Sequence, residues 1–530
     1  MIKATNNIYE AVFGSASGSD NNTSAVAAIE LGKSDDPITY AQLRRHVDSL
    51  RITSAIGAGE KVALVMPNSL ELIVGLFATW AQGAATAPLN PAYTAVEFRV
   101  SIARCVEVSD SDCAILQDLF ADLGVTKALV LVGDEKVKDL LRKASKDLEI
   151  IEVNVSGASP TQESAPPINQ DNGIALYLHT SGTTGKPKAV PLRHSNLLSG
   201  ASNVAQTYVL QPKDRTYLLQ VLFHIHGIVA ALLAPLLTGG SIVIPPNGKL
   251  DASRAWTDFR ENDCNWVTGT PSILQTLLAA PCTGEVPLIR FIRSCSSPLL
   301  PTVFNALRKR FGCPVIEAYA MTEASHQMCS NKLNLFASGT VGPEAGNAKI
   351  CIWDGGNSAC PLGVEGEVSV SGENVMGGYE SVSPEKNEEA FWRGVDERGN
   401  EATWFRTGDR GVLSTDGHRR LTLIGRLSEM VNRGGEKISP VEVDEAIMLA
   451  SDEVKEAASF GVADDFYGQE VEAAVVLDRG SKLDEVALQN LLEQRLAKFK
   501  IPKRIHFCEG TIPKGKKIPS ERGLRERVNN

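Results

Sequence analysis

The sequence predicts an α/β protein built as a large N-terminal domain, residues 1–427, and a small α+β C-terminal domain, residues 428–530. Three observations predict it. A chain of 530 residues exceeds one ordinary hydrophobic core, so more than one domain is expected. Apolar runs of strand length alternate with runs at helical spacing from residue 38 to residue 424. Beyond Gly425-Arg426 the pattern changes to a glycine-rich turn, a helix and short strands. That last part is about 100 residues long, a size at which a domain can fold alone.

The elements follow in order. Residues 1–37 are polar and rich in Ser, Asn and Gly, which predicts a mobile start. Ile38-Thr-Tyr-Ala-Gln-Leu opens a helix with Thr39 as N-cap and Leu43, Val47 and Leu50 at helical spacing. Lys61-Val-Ala-Leu-Val-Met reads as a buried strand, Pro67-Asn-Ser as a turn, 70–82 as an apolar helix ended by Gly83, and 84–88 as a strand. Together these make a parallel βαβ unit. A second α/β unit runs from Cys113-Ala-Ile-Leu through Leu129-Val-Leu-Val, and 154–170 is a Ser/Pro/Gln/Asn linker. From 208 to 424 strands and helices alternate, with surface loops expected at 333–340 and 380–402. In the C-terminal part, 441–449 and 484–496 read as helices, the latter capped by Asp484. Residues 457–462, 471–477 and Arg504-Ile-His-Phe read as strands.

Composition excludes several classes. The net charge of −10 argues against nucleic acid or an anionic membrane as the main partner. No apolar run reaches membrane-spanning length, and the start has no signal-peptide core. Ten cysteines are scattered singly, without a C-x-x-C pair or a His cluster at metal-ligand spacing, which predicts reduced thiols. The chain ends Arg527-Val-Asn-Asn, not a peroxisomal Ser-Lys-Leu, so a cytoplasmic location is expected.

The chemistry is read first at 178–190, Leu-His-Thr-Ser-Gly-Thr-Thr-Gly-Lys-Pro-Lys-Ala-Val, set between a strand at 173–178 and a stretch from Pro191 that restarts in a helical register. Gly182 and Gly185 let backbone N–H groups turn toward an anion. Thr180, Ser181, Thr183 and Thr184 add hydroxyl donors, and Lys186 and Lys188 add charge. The run therefore reads as a polyphosphate clamp. It is not the common P-loop, because its glycines are three apart and Pro187 follows the lysine.

This run resembles the AMP-binding signature of the adenylate-forming superfamily: acyl-CoA synthetases, adenylation domains of peptide synthetases and firefly-luciferase-like enzymes. The resemblance extends from Ile38 to around Arg522. It implies a small β-barrel-like subdomain in the large domain and a mobile C-terminal domain. It also implies a chemistry. A carboxylate is a poor electrophile, and joining it to AMP supplies a leaving group; a thiol then attacks the same carbon. ATP, Mg²⁺ and coenzyme A are the implied cofactors and a small carboxylic acid the implied substrate.

The resemblance assigns residues one motif at a time. Glu317-Ala-Tyr-Ala-Met-Thr-Glu323 is similar to the second family signature, which implies Tyr319 on adenine, Thr322 on the α-phosphate and Glu323 on Mg²⁺. Phe405-Arg-Thr-Gly-Asp409 is similar to the ribose motif; Asp409 can accept from both ribose hydroxyls, and Arg426 adds a cation. Phe223-His-Ile-His-Gly227 is similar to the aromatic–histidine motif beside the acyl pocket, with His224 the first choice for gating the carboxylate and His226 the second. Arg290-Phe-Ile-Arg-Ser-Cys-Ser-Ser-Pro-Leu299 would place Ser294, Cys295, Ser296 and Ser297 along one wall of the adenine and acyl site, next to Thr268-Gly-Thr-Pro271.

These segments look most like the oxalate–CoA ligase, or peroxisomal-CoA-synthetase-like, branch. That implies Ser296 and His326 on a diacid's far carboxylate, where a fatty acid would need an apolar tunnel. Gly434, Gly435 and Lys437 would meet the CoA arm. Pro513-Lys-Gly-Lys-Lys-Ile-Pro519 is a shortened form of the loop that carries the adenylation lysine; Lys517 is favoured over Lys516. Ser428 stands at the hinge, where relatives often carry Asp or Lys. Two rival readings share these residues. One is a stand-alone adenylating enzyme that loads a carrier protein. The other is a catalytically silent nucleotide-binding protein.

Overall fold

The computed structural model describes residues 5, 7–14, 24–89, 120, 123–155, 172–180, 188–282, 284–380, 382–464, 466–510 and 512. Two large sheets face each other across buried helices. One has six strands. Lys61–Val65 at its centre runs parallel to Ala85–Leu89 and to Lys127–Leu131. The connecting helix Leu70–Ala81 is buried at every residue, which explains why it is apolar on all sides. Ser69 caps it by accepting from the Leu72 amide at 3.2 Å, and its one acid, Glu71, pairs with Lys33 at 2.8 Å. On its flank lies the helix Tyr40–Thr53, whose Thr39 and Gln42 form the reciprocal capping box.

The second sheet has eight strands, in the order His326–Ser330, Val315–Met321, Phe291–Ser294, Trp266–Gly269, Arg215–Tyr217, Ser241–Ile244, Val26–Glu30, Ser34–Thr39. Its middle is parallel and both outer pairs are antiparallel. The helix His194–Tyr208 and a π-helical stretch, His226–Leu233, are buried with it. The barrel-like subdomain takes the form of a five-stranded antiparallel sheet organised on Glu401–Leu413, which pairs with three other strands. From Val431 a further five-stranded sheet begins, covered by Pro440–Ala450 and Glu485–Leu492, with a core of its own around Val443, Ile447, Val471 and Leu488. Among the described residues no helix is long and apolar enough to cross a membrane.

Four expectations are corrected. The clamp is not held between a strand and a helix: Lys188–Arg193 is a strand that returns antiparallel to Ile174–Thr180, and the helix starts at His194. Ala189, Val190 and Leu192 are buried in this strand, and Pro191, lacking a donor, is tolerated because the strand is the sheet's edge. The N-terminal stretch carries the helix Ile8–Phe13, anchored by fully buried Ile8 and Tyr9, and two strands. Residues 380–402 hold the helix Pro384–Glu389 and the strand Phe391–Val395, whose Trp392 stacks on Trp353. The helix capped by Asp484 stops at Leu492, not at 496. The strand expected from Cys113 and the linker from 156 lie outside the described residues.

One contact ties this fold to its cleft. On the helix His194–Tyr208, a Cβ at Gly200 would stand 2.0 Å from the Ser325 carbonyl oxygen. Gly200→Ala is expected to push that turn away at a cost of about 1–3 kcal/mol. Thermal unfolding should show a lowered midpoint; an unchanged midpoint would mean that the helix shifts freely.

Candidate active site

The cleft is built from strand ends. Val315–Met321 delivers the second signature and breaks into a 3₁₀ turn, Thr322–Ala324. Ser325 and His326 then adopt left-handed backbones, with φ of 45° and 84°, so that the chain reverses into His326–Ser330. Left-handed non-glycine residues are strained and cluster at functional sites. Ser296, at the end of Phe291–Ser294, is a third, with φ of 80°.

Glu323 is buried where the hairpin enters. Its Oε1 accepts from the Tyr379 hydroxyl at 2.9 Å and the Thr180 hydroxyl at 3.4 Å. Lys188 places its Nζ 4.5 Å from the centre of the Tyr379 ring. The neighbouring Glu380 pins the hairpin: its amide donates to the Ala189 carbonyl at 3.0 Å, and its carboxylate pairs with Lys61 at 2.6 Å. Of the clamp residues, Thr180 is thus beside Glu323; Ser181, Gly182, Thr183, Thr184, Gly185 and Lys186 lie outside the described residues, as does Lys517.

Asp409 sits opposite Arg426 in an antiparallel pair and takes its Nε at 2.7 Å. The Tyr319 hydroxyl donates to the other carboxylate oxygen. Burial raises the Asp409 carboxyl above the usual aspartate value, while Arg426 and Tyr319 oppose that rise. The Glu323 charge acts on both Asp409 and Arg426, so these groups share one field. Tyr319 is itself buried, and Thr322 is half-buried at the turn.

The third cluster holds the two motif histidines that are buried. His226 Nδ1 is 3.1 Å from Ser296 Oγ, and its Nε2 is 2.7 Å from Thr268 Oγ1. His326 stacks on it, ring centres 4.8 Å apart and 24° from parallel. Between them lies Arg293, fully buried, with Nη1 at 3.1 Å from His226 and Nη2 at 2.9 Å from His326. Burial, then the Arg293 charge, holds both imidazoles well below the usual histidine range. His224, the first choice by sequence, is exposed beside Phe223. Ser296 and Ser297 are both exposed.

Gly434, Gly435 and Lys437 are not part of this constellation. The two glycines form a hairpin turn with φ of 59° and 99°, and Gly434 donates to the Tyr467 carbonyl at 2.8 Å. Lys437 is exposed.

Sequence reasoning missed Arg293 and Tyr379. A charged residue inside Phe291-Ile-Arg-Ser, at the middle of a sheet, was the signal for the first. Only its place beside Glu380 marks Tyr379.

The cleft brings together a hydroxyl-bearing hairpin, a carboxylate, a second carboxylate gripped by arginine, and an imidazole pair. Comparison with known proteins gives the family. A family model described as AMP-binding enzyme matches residues 16–380, and one described as AMP-binding enzyme C-terminal domain matches 442–517. The oxalate–CoA ligase of Saccharomyces cerevisiae is 37% identical over 529 residues, spanning 93% of each chain. The oxalate–CoA ligase of Arabidopsis thaliana is 38% identical over 491 residues, spanning 90% of each. The solved structure of ATP-bound MatB from Rhodopseudomonas palustris superposes with a TM-score of 0.82 at 25% identity, covering 99% of both chains. The chain belongs to the AMP-binding, adenylate-forming enzyme family, and it is an ATP-dependent acyl-CoA synthetase that joins a carboxylic acid to CoA through an acyl-adenylate.

Proposed function

We propose that the acid is a small dicarboxylate, of which oxalate is the smallest. The observation that carries this reading is the buried Arg293–His226–His326 cluster behind Ser296. A fatty acid needs an apolar tunnel there. A polar end instead rejects apolar analogues, because its donors would be left unpaired. The two oxalate–CoA ligases named above support the same choice.

In this reading Thr180 and the hairpin hold the phosphates, Asp409 accepts from the ribose hydroxyls, and Tyr319 backs the adenine pocket. Thr322 meets the α-phosphate. The donor set at Glu323, one carboxylate with a neighbouring hydroxyl, suits a magnesium ion, which takes one or two protein carboxylates and otherwise phosphates and water. Bound with ATP, the ion supplies charge neutralisation on the phosphates. His224, exposed at the rim, meets the incoming carboxylate. That carboxylate attacks the α-phosphorus and the bond to pyrophosphate breaks. The thiol of CoA, losing its proton, then attacks the acyl carbon, and AMP leaves. Lys517 belongs to the first step. Residues 428–530 turn about Ser428 between the steps and bring Gly434, Gly435 and Lys437 to the CoA arm. A cytosolic setting is part of the proposal; the eight described cysteines are all free thiols, as a reducing compartment requires.

Acid-dependent ATP–pyrophosphate exchange, run over acids from oxalate to fatty acids, tests the substrate. Exchange is expected with short dicarboxylates, and His326→Ala should reduce it more for diacids than for monoacids. Equal loss for both would remove the dicarboxylate reading. Lys517→Ala should abolish exchange yet leave thioester formation from supplied acyl-AMP; if Lys516→Ala does so instead, the lysine register is off by one.

Asp409 gives a pH test. Its carboxyl is raised, so it protonates at higher pH than an ordinary aspartate. ATP affinity should then fall as pH drops through that value. Arg426→Gln, by removing the opposing cation, should move the fall to higher pH. Asp409→Asn should weaken ATP about ten-fold or more, since a hydrogen bond to a charged group contributes about 1.5–3 kcal/mol. Calorimetric titration at acid and neutral pH measures both.

A further inference from the structure

Arg293 is a buried cation with every donor committed. Its Nε donates to the Tyr208 hydroxyl at 2.9 Å and to Gln327 Oε1 at 3.3 Å. Nη1 donates to Thr268 Oγ1 at 3.0 Å and reaches His226 Nε2 at 3.1 Å. Nη2 reaches His326 Nε2 and Gln327 Oε1, both at 2.9 Å. Gln327 is fixed in this orientation because its amide nitrogen donates to the Asn203 carbonyl and to Thr207 Oγ1. None of these partners is a carboxylate, so neutral groups alone solvate the charge. That is an expensive arrangement unless the charge serves a ligand.

The guanidinium can donate and never accept. Both imidazole Nε2 atoms face it at hydrogen-bond distance, so both must present lone pairs. Each ring, being neutral, then carries its proton on Nδ1. For His226 the rest of the network agrees: Thr268 can donate its hydroxyl hydrogen to Nε2 while its oxygen accepts from Nη1. With its proton on Nδ1, His226 donates to Ser296 Oγ at 3.1 Å. That bond uses one of the two lone pairs on Ser296 Oγ and leaves the hydrogen of this exposed residue for a further acceptor. For His326 the Nδ1–H is the donor left once Nε2 accepts from Nη2.

We propose that Arg293 is a positioning residue that sets both imidazoles as Nδ1–H tautomers, leaving Ser296 and His326 as two donors for a second anionic group on the acid. The tautomers follow from the cluster alone; the identity of the group that meets the donors rests on the dicarboxylate reading given above. A substrate carboxylate is acceptor-only, so it complements two donors and supplies the anion that Arg293 lacks within the protein.

The first test needs no variant. Nitrogen-15 NMR of the histidine-labelled full chain at neutral pH, with ring signals assigned through His226→Gln and His326→Gln, should show Nδ1 protonated and Nε2 bare in both rings. A proton on Nε2 of either ring overturns the proposal. The second test is Arg293→Lys, which keeps the charge and loses the fork. In variant that retains the wild-type circular dichroism spectrum, kcat/KM should fall at least about ten-fold further for a dicarboxylic acid than for the monocarboxylic acid of equal chain length. A uniform fall in both overturns the positioning role. If the wild-type tautomers are as stated and the wild-type enzyme shows no preference for dicarboxylic acids, the assignment of Arg293 to the rings stands and the dicarboxylate reading fails.

Discussion

Five residues, 322–326, fix the two ends of the cleft relative to each other. Glu323 points toward the hairpin that carries Thr180, and His326 points the other way, onto Arg293. The turn between them runs through two left-handed residues and is seated directly on Gly200, where any side chain would collide with the Ser325 carbonyl. It is also held from outside. The Met376 amide donates to the Glu323 carbonyl at 2.8 Å, and Asn374 donates to the Ala324 carbonyl at 2.9 Å. Both sheets and the antiparallel subdomain therefore meet at this turn. The distance between Glu323 and the Arg293 cluster is set by covalent geometry and packing, not by flexible side chains.

The Arg293 cluster is organised by polar contacts inside a core that is otherwise apolar. Arg293 lies on the same short strand as fully buried Phe291 and Ile292. A buried charge surrounded by neutral partners is a poor source of stability compared with packed hydrocarbon. It gives direction instead. Its partners are held in turn: Gln327 donates to the Asn203 carbonyl and to Thr207, and His226 lies between Ser296 and Thr268. Asp409 differs: it has a formal countercharge in Arg426 at 2.7 Å and a tyrosine hydroxyl on its second oxygen. The partners of Arg293 named above are instead all neutral groups.

How much of this was legible in the sequence depended on the range of the signal. Thr39, with Leu43, Val47 and Leu50 at helical spacing after it, announced a helix start that the structure contains, and the apolar run that forms Leu70–Ala81 announced a buried helix. Local chemistry decides such elements. The motifs around Glu323, Asp409 and His226 were readable because each is a short run of unusual residues; the fold sets Asp409 within the field of Glu323 and stacks His326 on His226. The strand Lys188–Arg193 was misread, since its alternation is interrupted by Pro191 and only its place at a sheet edge makes that residue acceptable. Tyr379 was invisible because its importance arises across 56 residues of chain, from a hydroxyl on Glu323. Arg293 was visible as a charge in a strand, but its partners come from four separate segments and no local pattern joins them.

Arg426 has two attachments that pull on different parts of the molecule. Its side chain grips Asp409, while its carbonyl accepts from the amides of Glu429 and Met430, each at 3.1 Å. One residue further on, the Leu427 amide is held by the Gly408 carbonyl at 2.9 Å. The chain is therefore clamped up to 427 and exposed at Ser428. Arg426 thus joins its grip on Asp409 to the backbone turn that leads into the C-terminal sheet, so a disturbance at this one residue is felt on both sides of the junction.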